Sequence, residues 1–191
     1  MKVPGFSLVS RIALAVFTVT LAFAPGLRAQ EAIPKPSAAA LKGLTPEALL
    51  TLANEWGMKA EENRMQIWLT SRQLNALFAD GSKTVIDMPG DRMAVSLAPY
   101  IMKTHPCASH YPTTCRGELP NSPVHVVAVT SDGKTLIDEK TTTLPNGFID
   151  LWLPRDLQVD VTMEARGLKV TQRVGTSDQD PTCITTAKLH Y

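Results

Sequence analysis

The chain has 191 residues, of which 44% are hydrophobic, and its 19 basic and 18 acidic residues give a net charge of +1 at pH 7. This balance excludes the strongly basic character of proteins that bind nucleic acids or anionic membrane surfaces. The length suits one domain, or two small ones, with a modest hydrophobic core.

An export signal is predicted at the N-terminus. Lys2 and Arg11 precede an apolar run over residues 12–24, and the small residue Ala29 follows it. The run is too short to span a bilayer, which needs about 20 apolar residues, and is typical of a cleavable signal peptide. We therefore predict a signal peptide over residues 1–29 and export to the periplasm. Its removal leaves 16 basic and 18 acidic residues, a net charge of −2 that favours neither a nucleic acid nor a membrane as partner.

The next segment, residues 30–90, is predicted to be mainly helical. Thr45 suits a helix N-cap, and Pro46 suits the first helical turn. Apolar residues then recur at near-helical spacing up to Gly57, which is a plausible stop. A similar spacing of apolar residues predicts a second helix over residues 70–81.

Residues 91–191 are predicted to form a β-rich domain, because the apolar periodicity changes to two from Arg92 onward. Asp132-Gly133 between two apolar runs is a strong hairpin signal. The close spacing of the strands favours an antiparallel arrangement. The predicted fold class is therefore α+β, with a small helical N-terminal region followed by an antiparallel β-sandwich or barrel-like C-terminal domain. The strands are predicted at residues 124–130, 135–137, 148–153, 158–164, 168–174 and 183–189.

Three cysteines are the main chemical signal of the sequence. Cys107, Cys115 and Cys183 are an odd number, so in an exported protein one of them has no internal disulfide partner. Sulfur donors select thiophilic metals such as Cu(I), Zn(II) or iron–sulfur species. Three thiolates suit a trigonal Cu(I) site, whereas Zn(II) requires a fourth donor, which His105 or His110 is placed to supply.

Other interpretations of the cysteines stay open on the residues alone. A disulfide between Cys107 and Cys115 would leave Cys183 spare and staple a protein-binding module. A thiol–disulfide oxidoreductase is disfavoured because the compact Cys-X-X-Cys motif is missing. No catalytic residues are predicted, because the sequence has neither a glycine-rich phosphate loop nor a supported Ser-His-Asp order. The spacing of the cysteines also leaves zinc open.

A set of residues in the second half carries a more specific signal: His105-Pro106-Cys107, His110, Pro112-Thr113, Cys115, Gly117-Glu118 and Cys183. Together with the export signal, the small helical first half and the β-rich second half, this set resembles the CueP family of periplasmic copper-binding proteins. The resemblance implies sequestration of Cu(I) by the three cysteines, which makes zinc, left open by their spacing, the weaker alternative.

The resemblance further implies a role in copper resistance, delivery of copper to periplasmic cuproenzymes such as a copper/zinc superoxide dismutase, and a homodimer. It also implies reduction of Cu(II) by the thiols. Three cysteines contain only one reducing pair, so sustained turnover needs an external reductant. A stoichiometric metal-binding protein is therefore expected rather than an enzyme.

Overall fold

The computed structural model describes residues 33–59 and 64–191, so the predicted signal peptide lies outside the described residues. In the described part, a short 3-10 helix (Ala39–Leu41) precedes one α-helix and ten strands. No helix there has the length and apolarity needed to cross a membrane. The elements are α1 (Pro46–Gly57), β1 (Gln66–Leu69), β2 (Gln73–Leu77), β3 (Lys83–Asp87), β4 (Arg92–Leu97), β5 (Pro123–Thr130), β6 (Thr135–Thr142), β7 (Ile149–Pro154), β8 (Gln158–Ala165), β9 (Leu168–Gly175) and β10 (Cys183–Ile184).

Helix α1 forms where the sequence predicts it. The Thr45 hydroxyl accepts a hydrogen bond from the backbone N–H of Ala48 at 3.3 Å, and Pro46 occupies the first turn. This N-cap satisfies one of the amide groups that a helix start leaves without a partner. The apolar side of the helix, which includes the fully buried Trp56, packs against residues of β1 and β2.

The predicted helix over residues 70–81 is wrong, because this segment is a turn followed by strand β2. β1 pairs antiparallel with β2, and β2 pairs antiparallel with β3, which gives a three-stranded sheet. The Thr70 hydroxyl accepts the backbone N–H of Gln73 at 3.0 Å, a contact that serves a tight turn as well as a helix N-cap. Leu74 and Ala76 are buried while their neighbours are half-buried, so the burial period is two. The described part of residues 30–90 is therefore not mainly helical, since it contains one α-helix and this three-stranded sheet. The division at residues 90 and 91 into two regions stays a prediction.

The second half of the chain forms two further sheets, with strand orders β10-β4-β7 and β6-β5-β8-β9. The predicted hairpin is present as β5 and β6, and it is antiparallel. The two sheets bury their facing apolar side chains in one shared core. The α+β class with a sandwich-like β part is thereby confirmed. The fully buried members of this core include Met93, Val95, Leu97, Val126, Ala128, Leu153, Val161 and Met163.

Strand β10 is shorter than predicted, because regular pairing ends at Ile184 instead of residue 189. It runs parallel to β4, with Cys183 opposite Ser96, and the rest of the segment makes only isolated bridges. This pairing brings Cys183 to the β4–β5 loop, residues 98–122, which contains the other two cysteines.

Candidate metal centre

Backbone hydrogen bonds fold the β4–β5 loop against two distant segments. Leu69 of β1 donates its N–H to the carbonyl of His110 at 2.8 Å, and Cys183 donates its N–H to the carbonyl of Ala108 at 3.2 Å. The Thr182 hydroxyl accepts the N–H of His110 at 3.0 Å and donates to the carbonyl of Leu69, also at 3.0 Å. Three segments that are far apart in the sequence therefore meet at His110.

The loop is also attached to the end of helix α1. The exposed Arg116 guanidinium donates to the carbonyl oxygens of Gly57 and Cys115, both at 2.8 Å. It also donates to the carbonyls of Pro112 at 3.2 Å and Thr113 at 3.3 Å. Helix α1 ends at Gly57, where unpaired carbonyls carry partial negative charge, so a cation suits this position. Arg116 thus joins the helix to the segment that holds Cys115.

All five sequence-predicted donors converge in this region. The Sγ atoms of Cys107 and Cys115 are 3.4 Å apart, and the Sγ atom of Cys183 lies 3.8 Å from Nδ1 of His110. All three cysteines are free. The other two histidines lie elsewhere: His125 on β5 contacts Asp138 of β6 at 2.7 Å, and His190 bonds to the carbonyl of Lys188.

The donors form two groups that share one cysteine. In each group the three ligand atoms lie within 4.8 Å of one another. We call His105, Cys107 and Cys115 the outer triad, and His110, Cys115 and Cys183 the inner triad. Cys115 belongs to both, Cys107 only to the outer triad, and Cys183 only to the inner triad.

The two triads differ in exposure. His105 and Cys107 are partly exposed and, with Cys115, line an open cleft of about 420 Å³. His110 and Cys183 are 0% and 1% exposed and do not line this cleft. A molecule in solution therefore reaches the outer triad first.

An aromatic wall closes the inner side of the site. Phe148 is fully buried, and its ring centroid lies 4.6 Å from that of His110 and 6.4 Å from that of His105. Asn146 accepts the backbone N–H of Phe148 at 3.0 Å and donates to the side chain of Asn54 on α1 at 2.9 Å. The ring is thus held in place by a buried polar pair that reaches back to the helix.

The ring nitrogens of the two histidines are available as donors. Nε2 of His105 and Nε2 of His110 are buried and have no hydrogen-bond partner among the described residues. An unpaired buried polar atom costs free energy, and a metal ion would remove that cost.

The three sulfur atoms have different electrostatic environments. A hydrogen bond from Cys183, assisted by the two imidazoles, lowers the pKa of Cys115 to about 3. Burial is the main reason that the pKa of Cys107 is raised to about 11. The pKa of Cys183 is raised well above its ordinary value, first because its thiol donates to Cys115 and then because it is buried. These shifts favour the thiolate form of Cys115 and the thiol forms of its two neighbours.

The fold and this set of sulfur and imidazole donors define a class of protein: metal-binding proteins whose sites select thiophilic metals. The family model described as "Periplasmic copper-binding protein CueP" matches residues 57–188, and the chain belongs to this family. The crystal structure of S.CueP is similar to this fold, with a TM-score of 0.72 and 28% sequence identity over 80% of this chain and 92% of that chain. No curated protein sequence matches this one. The metal of the family is copper, and the donor chemistry of the triads suits that metal.

Proposed function

We propose that this protein sequesters Cu(I) in the periplasm through the thiolates of Cys107, Cys115 and Cys183, with His105 and His110 as adjacent donors. The observation that carries the proposal is the convergence of three free sulfur atoms on one aromatic-walled site. By removing free copper from the compartment, this binding contributes to copper resistance.

Cu(I) fits this site better than Zn(II). Cu(I) is soft, has a filled d shell and tolerates two or three ligands, whereas a structural Zn(II) site is closed by four. Each triad supplies two sulfurs and one imidazole. Phe148 packs against His110, and His110 and Cys183 are at most 1% exposed, so the inner triad has little access to water as a fourth ligand for Zn(II). Zinc is therefore the weaker alternative.

The exposed side of the site supports delivery of copper to another protein. His105 and Cys107 face the open cleft, where sulfur or imidazole groups of a recipient can replace them one at a time. Copper then moves without being released as a free ion. A periplasmic cuproenzyme, such as a copper/zinc superoxide dismutase, is the proposed recipient, and a homodimer is the proposed assembly.

An anaerobic titration of the reduced protein with Cu(I) against a chromogenic chelator tests sequestration, with Zn(II) as the control metal. We expect one Cu(I) per chain and at least a 100-fold loss of affinity in Cys115→Ser, because both triads lose a soft donor. Unchanged affinity in that variant, or tighter binding of Zn(II), would contradict the proposal. Circular dichroism of the variant checks that it remains folded.

A second candidate reaction is the reduction of Cu(II), favoured by the 3.4 Å contact between the Cys107 and Cys115 sulfurs. The Cys107 thiol and the Cys115 thiolate would give one electron each to two Cu(II) ions, which become Cu(I). The two sulfurs would join in a disulfide, and the Cys107 proton would pass to the solvent. Loss of the Cu(II) paramagnetic resonance signal, with two thiols consumed per two ions, is expected. Cys107→Ser should stop the reaction, and an undiminished rate in that variant would exclude this pair.

A further inference from the structure

The two triads differ in composition, because each contains one cysteine and one histidine that the other lacks. Cu(I) takes few ligands, so one ion has no use for all five donors at once. Cys107 and Cys183 belong to different groups, and each group is completed by its own imidazole. The geometry therefore offers two alternative three-ligand positions.

The shared ligand links these positions. Cys115 lies in both triads, within 4.8 Å of the ligand atoms of each, and its sulfur is 3.4 Å from that of Cys107. An ion bound at either position keeps its bond to this sulfur while the other two ligands are exchanged. The ion therefore never has to be released into the solvent on the way.

Burial gives the two positions different properties. The outer triad lines the open cleft, whereas the inner triad is completed by two residues that are at most 1% exposed. Phe148 packs against the imidazole of the inner triad at 4.6 Å. Packing fixes the orientation of the inner ligands, and support of this kind increases the affinity for a metal ion.

Building on the proposed function, we propose that the triads are successive stations for one Cu(I) ion: the outer triad loads and releases it, the inner triad stores it, and Cys115 holds it during the move.

The inward step changes ligands but not oxidation state. The bonds from copper to the Cys107 sulfur and the His105 nitrogen break as bonds to the Cys183 sulfur and the His110 nitrogen form. The proton that leaves the Cys183 sulfur is balanced by one that the Cys107 sulfur takes up. Release follows the same steps in reverse.

Matched serine variants of Cys107 and Cys183 separate the two roles, since each removes one sulfur from one station. We expect the affinity of Cys107→Ser for Cu(I) to stay within several-fold of that of the unaltered protein, while the rates of loading and release both fall by about tenfold. Equal changes of the two rates cancel in the dissociation constant. We expect Cys183→Ser to lose more than about 100-fold in affinity while loading stays fast. Competition titration gives the affinities, and stopped-flow transfer to and from a chromogenic chelator gives the rates.

A spectroscopic measurement on the unaltered protein does not depend on variant folding. X-ray absorption of the protein loaded with one equivalent of Cu(I) is expected to show two sulfur ligands and one nitrogen ligand. Three sulfur ligands, equal loss of affinity in both serine variants, or two Cu(I) ions bound per chain would overturn the two-station scheme. Those results would leave copper sequestration intact, whereas failure of the unaltered protein to bind Cu(I) would remove both proposals.

Discussion

Substitution of Gly57 by alanine is expected to destabilise the protein and to disturb the metal centre. A Cβ atom at this position would lie 2.1 Å from the carbonyl oxygen and 2.7 Å from the carbonyl carbon of Pro112. These are backbone atoms, so the loop has to move by more than about 1 Å before ordinary contact is restored. The same movement strains the hydrogen bond from Arg116 to the Gly57 carbonyl.

The expected magnitude follows from these opposing effects. Overpacking of this kind costs about 1–3 kcal/mol, and a weakened bond from a charged donor adds to that cost. Alanine recovers up to about 1 kcal/mol through its better helix propensity. We expect Gly57→Ala to lower the free energy of unfolding by about 1–3 kcal/mol and the Cu(I) affinity by about 10-fold or more, because the loop positions the ligands.

Gly90→Ala is a matched control. A Cβ at Gly90 would have no neighbour within 4 Å, and this glycine has no positive φ. Urea denaturation of the two variants and of the unaltered protein compares their stabilities, and chelator competition compares their copper affinities. If Gly57→Ala had the same free energy of unfolding and the same copper affinity as Gly90→Ala, the close approach of helix and loop would not position the site.

Three other predictions concern the frame around the site. Leu74 is fully buried on β2, so Leu74→Ala should lower the free energy of unfolding by about 2–5 kcal/mol. Val85 on β3 is exposed, so Val85→Ala should lower it by less than about 0.5 kcal/mol. Equal losses in urea denaturation would contradict this arrangement of β2 and β3. Phe148→Ala removes the buried ring that packs against His110, so it should lower the free energy of unfolding by about 3–5 kcal/mol and weaken Cu(I) binding. Unchanged copper affinity in a folded variant would show that the ring does not support His110. A hydrogen bond from Arg72 lowers the pKa of Asp178 in the folded protein. The stabilisation by this exposed pair is therefore complete above the pKa that Asp178 has in the unfolded chain, and it is lost as the pH falls through the lower pKa of the folded protein. Asp178→Asn should flatten that acid dependence, and an identical pH profile of unfolding would refute the assignment.

Local signals in the sequence were sufficient for some elements and misleading for others. Helix α1 was predictable because Thr45 and Pro46 determine its start within a single turn. The hairpin of β5 and β6 was predictable because Asp132-Gly133 favours the tight turn that joins the two strands. The segment after Thr70 was misassigned because its apolar spacing fits a helix, while pairing with β1 and β3 makes it a strand. Such pairing is non-local and leaves little trace in the segment itself.

The candidate site was partly predictable for a similar reason. Cysteine and histidine are recognisable as metal ligands from residue type alone, so all five donors could be named from the sequence. Their division into two triads depends on the parallel pairing of β10 with β4, which no local pattern encodes. Arg116 was missed because its partners are backbone carbonyls, which every residue possesses.

The position of Cys183 on β10 has a consequence for the order of folding. β10 follows every other strand of the described chain, so the outer triad can form before β10 has docked on β4, whereas the inner triad cannot. Cargo held in the inner triad would add its binding free energy to the docking of this last strand. Secure retention of copper would therefore begin only when the fold is complete, and an unfinished chain would exchange its ion freely with its surroundings.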